Sequence, residues 1–274
     1  YDERNVQKTY TYFGRLSALK YTNIRFFETQ NGDSTQLNCY VMLTKSKHKS
    51  ISFELEGTNS AGDLGAAASV SFQHRNLFRG SETFMVKFRG AYEAISGLQP
   101  GYKNHNYTEY GVETSINFPN FLFPFLTSDF KRRIKATTEF GLQYNYQLRP
   151  EFSRTIASAS WSYKWMQKQK IQHRIDLLDI SYLYLPWISS QFQEDYINKD
   201  KDNYILKYNY ENRLIVRMGY NYSYNSAGGA LVNNTITTNS YSIRAGFESA
   251  GNILYGISKM INMRKNKDGE YAIL

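Results

Sequence analysis

Residues 133–148 read RIKATTEFGLQYNYQL, and they carry the longest regular alternation of apolar and polar side chains in the chain. Successive side chains of a β-strand point to opposite faces of its sheet. The stretch therefore predicts one long strand with an apolar face and a polar face. Its apolar side consists of Ile134, Ala136, Phe140, Leu142, Tyr144, Tyr146 and Leu148, and its polar side of Arg133, Lys135, Glu139, Gln143, Asn145 and Gln147.

Eight further runs alternate in the same way, which brings the number of predicted strands to nine. The run at 173–185 is the weakest, because its alternation slips partway along. Most of the runs are longer than the about five or six residues that are usual for strands of soluble proteins. The eight runs span residues 51–57, 64–75, 84–93, 109–118, 154–165, 173–185, 213–224 and 241–248.

Two architectures produce such alternation. A soluble sandwich turns its apolar face inward, whereas a membrane barrel turns it toward lipid around a polar lumen. The strand lengths and the mixed charges of the polar side favour the barrel, as do aromatic pairs near the ends of the apolar stripes, such as Trp161 with Trp165. The sequence thus predicts the N-terminal part of an all-β, transmembrane, antiparallel up-and-down β-barrel. Because lipid cannot satisfy an open sheet edge, we expect the chain to stop before its barrel closes.

Composition excludes other classes of protein. The 274 residues include 16% aromatic residues and carry a net charge of +9, with a mean hydropathy of −0.56. The longest unbroken apolar stretch, Cys39–Leu43, is far shorter than the ~18 to 20 residues of a spanning helix, and such a density of aromatic residues argues against disorder. One cysteine excludes an internal disulfide and a multi-cysteine metal site. The positive charge alone does not identify a partner.

Residues 1–47 follow a different pattern. Apolar residues recur at helical spacing from Val6 to Leu16, and two alternating runs then flank an Asn-Gly dipeptide at 31–32, which is typical of hairpin turns. We therefore predict a helix followed by a hairpin, a small α+β unit. Cys39 lies in the alternation of the second run, so we expect it to pack as a core hydrophobe.

The links between the predicted strands differ in length. Tight links at 77–81 and 166–170 alternate with longer ones at 97–106 and 186–203, close to the short periplasmic and long external loops of membrane barrels. The link Pro119–Lys131 departs from this order. It is rich in phenylalanine, and we expect it to form an interfacial turn resting on the membrane.

The stretch Gly57–Glu82, GTNSAGDLGAAASVSFQHRNLFRGSE, resembles the first barrel hairpin of the outer-membrane assembly and translocation family that includes BamA and TamA, in the form found in Bacteroidota. The turn Asn76–Gly80 is the most specific part of the resemblance. Residues 1–47 look like the C-terminal half of a POTRA domain, the periplasmic module that precedes such barrels, and 48–274 like the N-terminal part of the barrel. The family's external loop with its Arg-Gly motif and the barrel-closing strands have no counterpart in the chain.

The resemblance implies a protein of the outer membrane of a Gram-negative bacterium, with a periplasmic N-terminal segment. Its partners would be outer-membrane lipids, nascent β-barrel or translocated client proteins, and accessory lipoproteins or a periplasmic partner. The first barrel strand would be one side of the closing seam and would template an incoming strand by β-augmentation. The seam residues expected to bind clients are Ile51, Phe53, Leu55 and Gly57; an ordinary turn-entry role for Gly57 stays open.

No motif indicates an enzyme. The four histidines lack metal-ligand spacing, and the chain contains no nucleophile elbow, P-loop or dinucleotide fingerprint, so we expect no catalytic residues, no metal and no cofactor. Nucleic acid is not expected either, because the aromatic residues fall into apolar stripes instead of interleaving with basic ones. Two alternative functions remain: a passive outer-membrane channel or porin, which the polar lumen would suit, and a soluble β-rich binding protein.

Overall fold

The computed structural model of the chain describes residues 2–31, 34–60, 63–96, 106–168, 170–197, 209–227 and 239–251. Two sheets account for all the strands in these ranges. The first is a hairpin that follows the helix α1 (Glu3–Phe13), and its strands are β1 (Leu19–Asn31) and β2 (Ser34–Lys45). The second sheet has nine strands: β3 (Lys49–Ser60), β4 (Asp63–Arg75), β5 (Thr83–Ala94), β6 (Asn106–Phe118), β7 (Thr137–Leu148), β8 (Phe152–Gln167), β9 (Ile171–Ile188), β10 (Arg213–Asn225) and β11 (Ser242–Ala250).

The N-terminal helix and hairpin form as the sequence predicts. The Asp2 carboxylate caps α1 by accepting a hydrogen bond from the Arg4 amide at 2.9 Å, which satisfies one of the free donors of the first turn. The hydroxyl of Tyr10 bonds to both backbone groups of Ile24 and so fixes the helix against β1. Asn31 pairs with Ser34; Gly32 of the predicted turn lies outside the described residues.

The nine-stranded sheet is antiparallel and strictly sequential. Its order runs from β3 to β11 without a crossover, and each strand pairs with the next one along the chain. The predictions of nine strands after residue 47 and of up-and-down order are confirmed. No pairing joins β3 to β11 in the described ranges, so each of these two strands is an edge of the sheet.

The predictions for the start of the fifth strand and for Cys39 are wrong. The fifth strand begins at Thr137 and not at Arg133, because Ser128–Ile134 forms the helix α2, which ends at Lys135 in the left-handed conformation (φ 54°). Asp129 in its first turn and three basic residues in its last turn complement the helix dipole, and this local preference wins over the alternation. Cys39 is exposed and not in a core, since no described element covers its side of the hairpin.

Strand β9 is longer than predicted, and it explains the slip in its own alternation. It continues through Pro186 to Ile188, into the stretch expected to be a loop, and a short helical segment, Ser190–Ile197, follows it. The register with both neighbouring strands shifts around Leu177 and Leu178, which is a β-bulge. A bulge inserts one residue and so exchanges the faces of the positions after it.

None of the described helices is long and apolar enough to cross a membrane.

Candidate functional site: the edge strand β3 and the two faces of the sheet

Within the part of the chain that the structure describes, the backbone of β3 is paired on one side only. Its register with β4 is regular from Lys49 opposite His74 to Ser60 opposite Asp63. The amide of Arg75 donates to the carbonyl of His48 at 2.7 Å, one pair before this ladder. Residues of an antiparallel strand turn their N–H and C=O groups to alternate sides. Even-numbered residues of β3 therefore bond to β4, and odd-numbered ones direct their backbone groups to the free edge.

The residues predicted for the seam, Ile51, Phe53, Leu55 and Gly57, are all among those whose backbone groups face this free edge. Their side chains also share one face of the sheet and are uncovered, with 62% of Ile51, 74% of Phe53 and 86% of Leu55 exposed. A side chain built at Gly57 would meet no atom within 4 Å. Close packing therefore does not require a glycine at position 57. Its effect is that the edge has no side chain to pack at this position.

Contacts on the opposite face hold β3 in the sheet. Glu54 Oε2 accepts hydrogen bonds from Ser69 Oγ of β4 and from Lys87 Nζ of β5, both at 2.9 Å. Glu56 pairs with Arg89 of β5 through two guanidinium nitrogens, at 2.9 and 3.2 Å. These side chains are partly exposed, so the pairs orient the strand and contribute modestly to its stability.

The turn between β4 and β5 connects this edge to the N-terminal unit. Glu82 is 7% exposed, and its carboxylate accepts from the amides of Phe78 and Gly80 at 3.1 and 3.0 Å. A Cβ at Gly80 would collide with that carboxylate. The carbonyl of Ser81 accepts from Ser17 Oγ at 2.6 Å. Glu82 thus orders the turn Asn76–Gly80, and Ser81 beside this turn joins the hairpin β4–β5 to the segment after α1.

Sheets of soluble proteins usually bury their apolar face and expose their polar face. In this sheet the apolar face is the more exposed one. In β4 the exposed positions are Leu64, Ala66, Ala68 and Val70, whereas Ala67 and Ser69 between them are buried. Leu142 of β7 (63% exposed) and Phe247 of β11 (71% exposed) continue the exposed apolar face. Soluble sheets cover such a face.

Charged residues line the other face. Lys164 pairs with Glu139 at 2.5 Å across β7 and β8. Near the second edge, Arg217 of β10 binds Asp179 of β9 and, at 3.2 Å, Glu248 of β11. These three side chains border a cleft of about 320 Å³. The cleft has two aspartates of β9 on its border because the bulge in β9 places both Asp176 and Asp179 on the polar face.

The second edge belongs to β11. The amide of Gly251 donates to the carbonyl of Val216 at 3.0 Å, so odd-numbered residues of β11 bond to β10 and even-numbered ones, such as Arg244 and Glu248, turn their backbone groups outward. As the first and ninth members of an alternating series, β3 and β11 run in the same direction. Direct pairing of the two edges would be parallel.

No chemistry beyond these contacts is brought together in the described ranges. They contain no group of three or more histidine, cysteine, aspartate or glutamate side chains that could hold a metal ion. His173 stacks on Trp165 with ring centroids 4.7 Å apart and lies 2.8 Å from the Tyr220 hydroxyl. His74 is opposite Lys49, and His48 is opposite Arg75, at the end of the β3–β4 ladder that is remote from its turn; His105 lies outside the described residues.

Sequence reasoning located the edge strand but missed its attachments. The alternation places Glu54 and Lys87 on one face, yet it cannot show that they meet across an intervening strand. It also missed Thr138, a fully buried hydroxyl that binds the link before β7. A lone threonine on an apolar stripe was the available signal. Comparison of the sequence with protein-family models and with curated proteins finds no match.

Proposed function

We propose that the chain is part of an outer-membrane assembly or translocation factor, in which β3 templates incoming client strands by β-augmentation. The observation that carries the proposal is the row of backbone groups at residues 51, 53, 55 and 57 that have no strand partner among the described residues, beside largely exposed apolar side chains. An exposed strand edge pairs readily with another strand. The family resemblance of residues 57–82 supports the same function.

The exposed apolar face supports a membrane location for the sheet. In lipid, the favourable arrangement is an apolar exterior and a polar, ion-paired interior, and the distribution of exposed leucine and phenylalanine follows it. A barrel in which all neighbours are antiparallel requires an odd number of strands between β11 and β3, because these two edges run in the same direction. Nine strands plus an odd number give the even total that is usual for bacterial barrels.

The register of an antiparallel pair determines which residues of a client strand would lie opposite those of β3. In an antiparallel pair, residues that exchange backbone hydrogen bonds lie directly opposite each other, with side chains on the same face. A strand that bonds to Ile51, Phe53 and Leu55 must therefore place its own lipid-facing residues opposite them. Any barrel strand with alternating apolar positions meets this requirement, so recognition would depend on the backbone and the apolar period and not on one sequence.

Site-specific photocrosslinking tests the proposal with a matched pair of positions. A photoreactive phenylalanine analogue at Ile51 and at Leu142 reports on two apolar side chains of nearly equal exposure, 62% and 63%, on the same face. We expect the probe at 51 to capture folding barrel proteins in cells, and the probe at 142, in the middle of the sheet, to capture none. Equal capture at both positions would refute an edge-specific role.

A passive channel is the second candidate. The pairs Lys164–Glu139 and Arg217–Asp179 and the cleft beside them place fixed charges of both signs along the polar face, as in a water-filled pore. Planar-bilayer conductance distinguishes this candidate: a stable open conductance together with normal client assembly after the edge is blocked would favour the channel.

A further inference from the structure

The link between β6 and β7 lies across the apolar face of the sheet. Thr138 is fully buried, and its Oγ1 accepts from the Leu122 amide and donates to the Asn120 carbonyl, both at 2.8 Å. The hydroxyl of Tyr163 donates to the Leu122 carbonyl at 2.9 Å. Residues 120–122 are thus held against the first residues of β7 and the last half of β8, at one end of the sheet.

Three phenylalanines extend outward from this attachment. The ring of Phe121 lies 4.8 Å from that of Tyr163, and the ring of Phe123 lies 6.4 Å from that of Trp161. The rings of Phe125 and Phe123 pack edge to face with their centroids 5.6 Å apart, and Phe125 is 87% exposed. The series ends in an uncovered aromatic ring on the same face as Leu142.

Basic residues follow these rings directly. The last turn of α2 carries Lys131, Arg132 and Arg133, and none of them forms an ion pair with a residue in the described part of the chain. Lys131 and Arg132 lie at a cleft of about 830 Å³ between α2 and the segment after α1. The walls of that cleft include Phe13, Leu16 and Phe121.

We propose that residues 119–134 bind an anionic phospholipid of the leaflet that faces the N-terminal unit. This inference rests on the proposed membrane location of the sheet. Phe125 would enter the acyl region, and the cations of α2 would contact the headgroup phosphate. Aromatic rings favour the boundary between lipid and water, and basic residues beside them attract anionic lipid surfaces. An acidic peptide would satisfy the cations but would leave the ring of Phe125 uncovered.

Quenching of tryptophan fluorescence by brominated lipids measures this binding. The chain has three tryptophans. Trp187→Phe leaves Trp161, whose ring contacts that of Phe123 in the segment, and Trp165 near the end of β8. The chain is placed in phosphatidylcholine nanodiscs that contain brominated phosphatidylglycerol or brominated phosphatidylcholine. We expect phosphatidylglycerol to quench preferentially, and Arg132→Gln to lower the preference by up to about fivefold, the effect of one charge near a lipid surface.

A matched control removes one positive charge elsewhere. Arg25→Gln, on an exposed position of β1, should leave the preference unchanged. Equal quenching by both brominated lipids, unaffected by Arg132→Gln, would overturn the phospholipid site and leave the membrane location intact. Absence of quenching by either lipid would overturn the membrane location, and the phospholipid site with it.

Discussion

Lys87 Nζ of β5 lies 2.9 Å from Glu54 Oε2 of β3, although the whole strand β4 runs between the two residues. Ser69 Oγ of β4 donates to the same oxygen, so three strands meet at one carboxylate. The side-chain contacts that hold the edge strand are thus on the polar face, whereas its apolar side chains are left uncovered by the described residues. The contacts on the polar face therefore affect how easily the strand separates from β4, and they do not determine whether its apolar side chains are exposed.

The first prediction concerns this carboxylate. Lys87→Gln removes the cation that reaches Glu54 across β4, so the edge strand should separate from β4 more readily. We expect faster hydrogen exchange at the β3 amides that bond to β4, those of Ser52, Glu54 and Glu56, and unchanged exchange in β7. The exchanged pair Glu54→Lys with Lys87→Glu should restore protection, and failure to do so would mean that the pair does not hold the edge.

The second prediction tests which face of the sheet meets lipid. Leu142→Arg places a charge on the exposed apolar face and Gln143→Arg places it one residue further, on the polar face. In lipid, the first should lower the free energy of unfolding by ~2 to 4 kcal/mol and the second by less than ~1 kcal/mol. Denaturant titration of protein folded into liposomes measures both.

A soluble sheet would give a different result for the same pair of substitutions. In water an arginine at position 142 replaces an exposed leucine and should be nearly neutral. Equal, small effects at 142 and 143 would therefore contradict the membrane location and favour the soluble binding protein.

Much of the fold was predictable because strand alternation is a local signal. The period of two identifies each strand, and short links make neighbours in sequence neighbours in the sheet. The start of β7 was not predictable in this way, since Arg133 and Lys135 continue the alternation while α2 uses the same residues. The slip in β9 was visible in the sequence, but its cause, a bulge at Leu177 and Leu178, required the pairing with both neighbours.

The candidate site was predictable only in part. The residues predicted for a seam were inferred from a resemblance and from the position of the first strand, and the register adds that their backbone groups face the free edge of the described sheet. The exposure of Cys39 could not be predicted, because alternation shows that a position is apolar and not whether anything covers it. The same limit applies to the whole apolar face of the nine-stranded sheet.

The third prediction separates backbone recognition from side-chain recognition at the edge. Phe53→Pro removes an N–H that has no partner in β4, and proline is tolerated on edge strands in that orientation. Ser52→Pro removes an N–H that bonds to β4 and should destabilise the sheet by about 1 kcal/mol or more. We expect Phe53→Pro to fold but to lose client assembly in cells, while Phe53→Ala, which keeps the N–H, retains most of it. Loss of assembly in Phe53→Ala alone would refute recognition through the backbone.

The fourth prediction concerns the hydroxyl of Thr138, which holds the link between β6 and β7 against the sheet. Thr138→Val keeps the shape of the side chain but leaves the Leu122 amide and the Asn120 carbonyl without their partner, and unsatisfied buried groups of this kind cost about 1–3 kcal/mol. We expect a loss of stability in that range and a change in tryptophan emission, since Phe123 would no longer cover Trp161. Thr114→Val makes the same change on the same face of β6. Thr114 has no side-chain hydrogen bond to another described residue, so this variant should be neutral or stabilising in lipid. If the two variants unfold at the same denaturant concentration, the link is not held by Thr138.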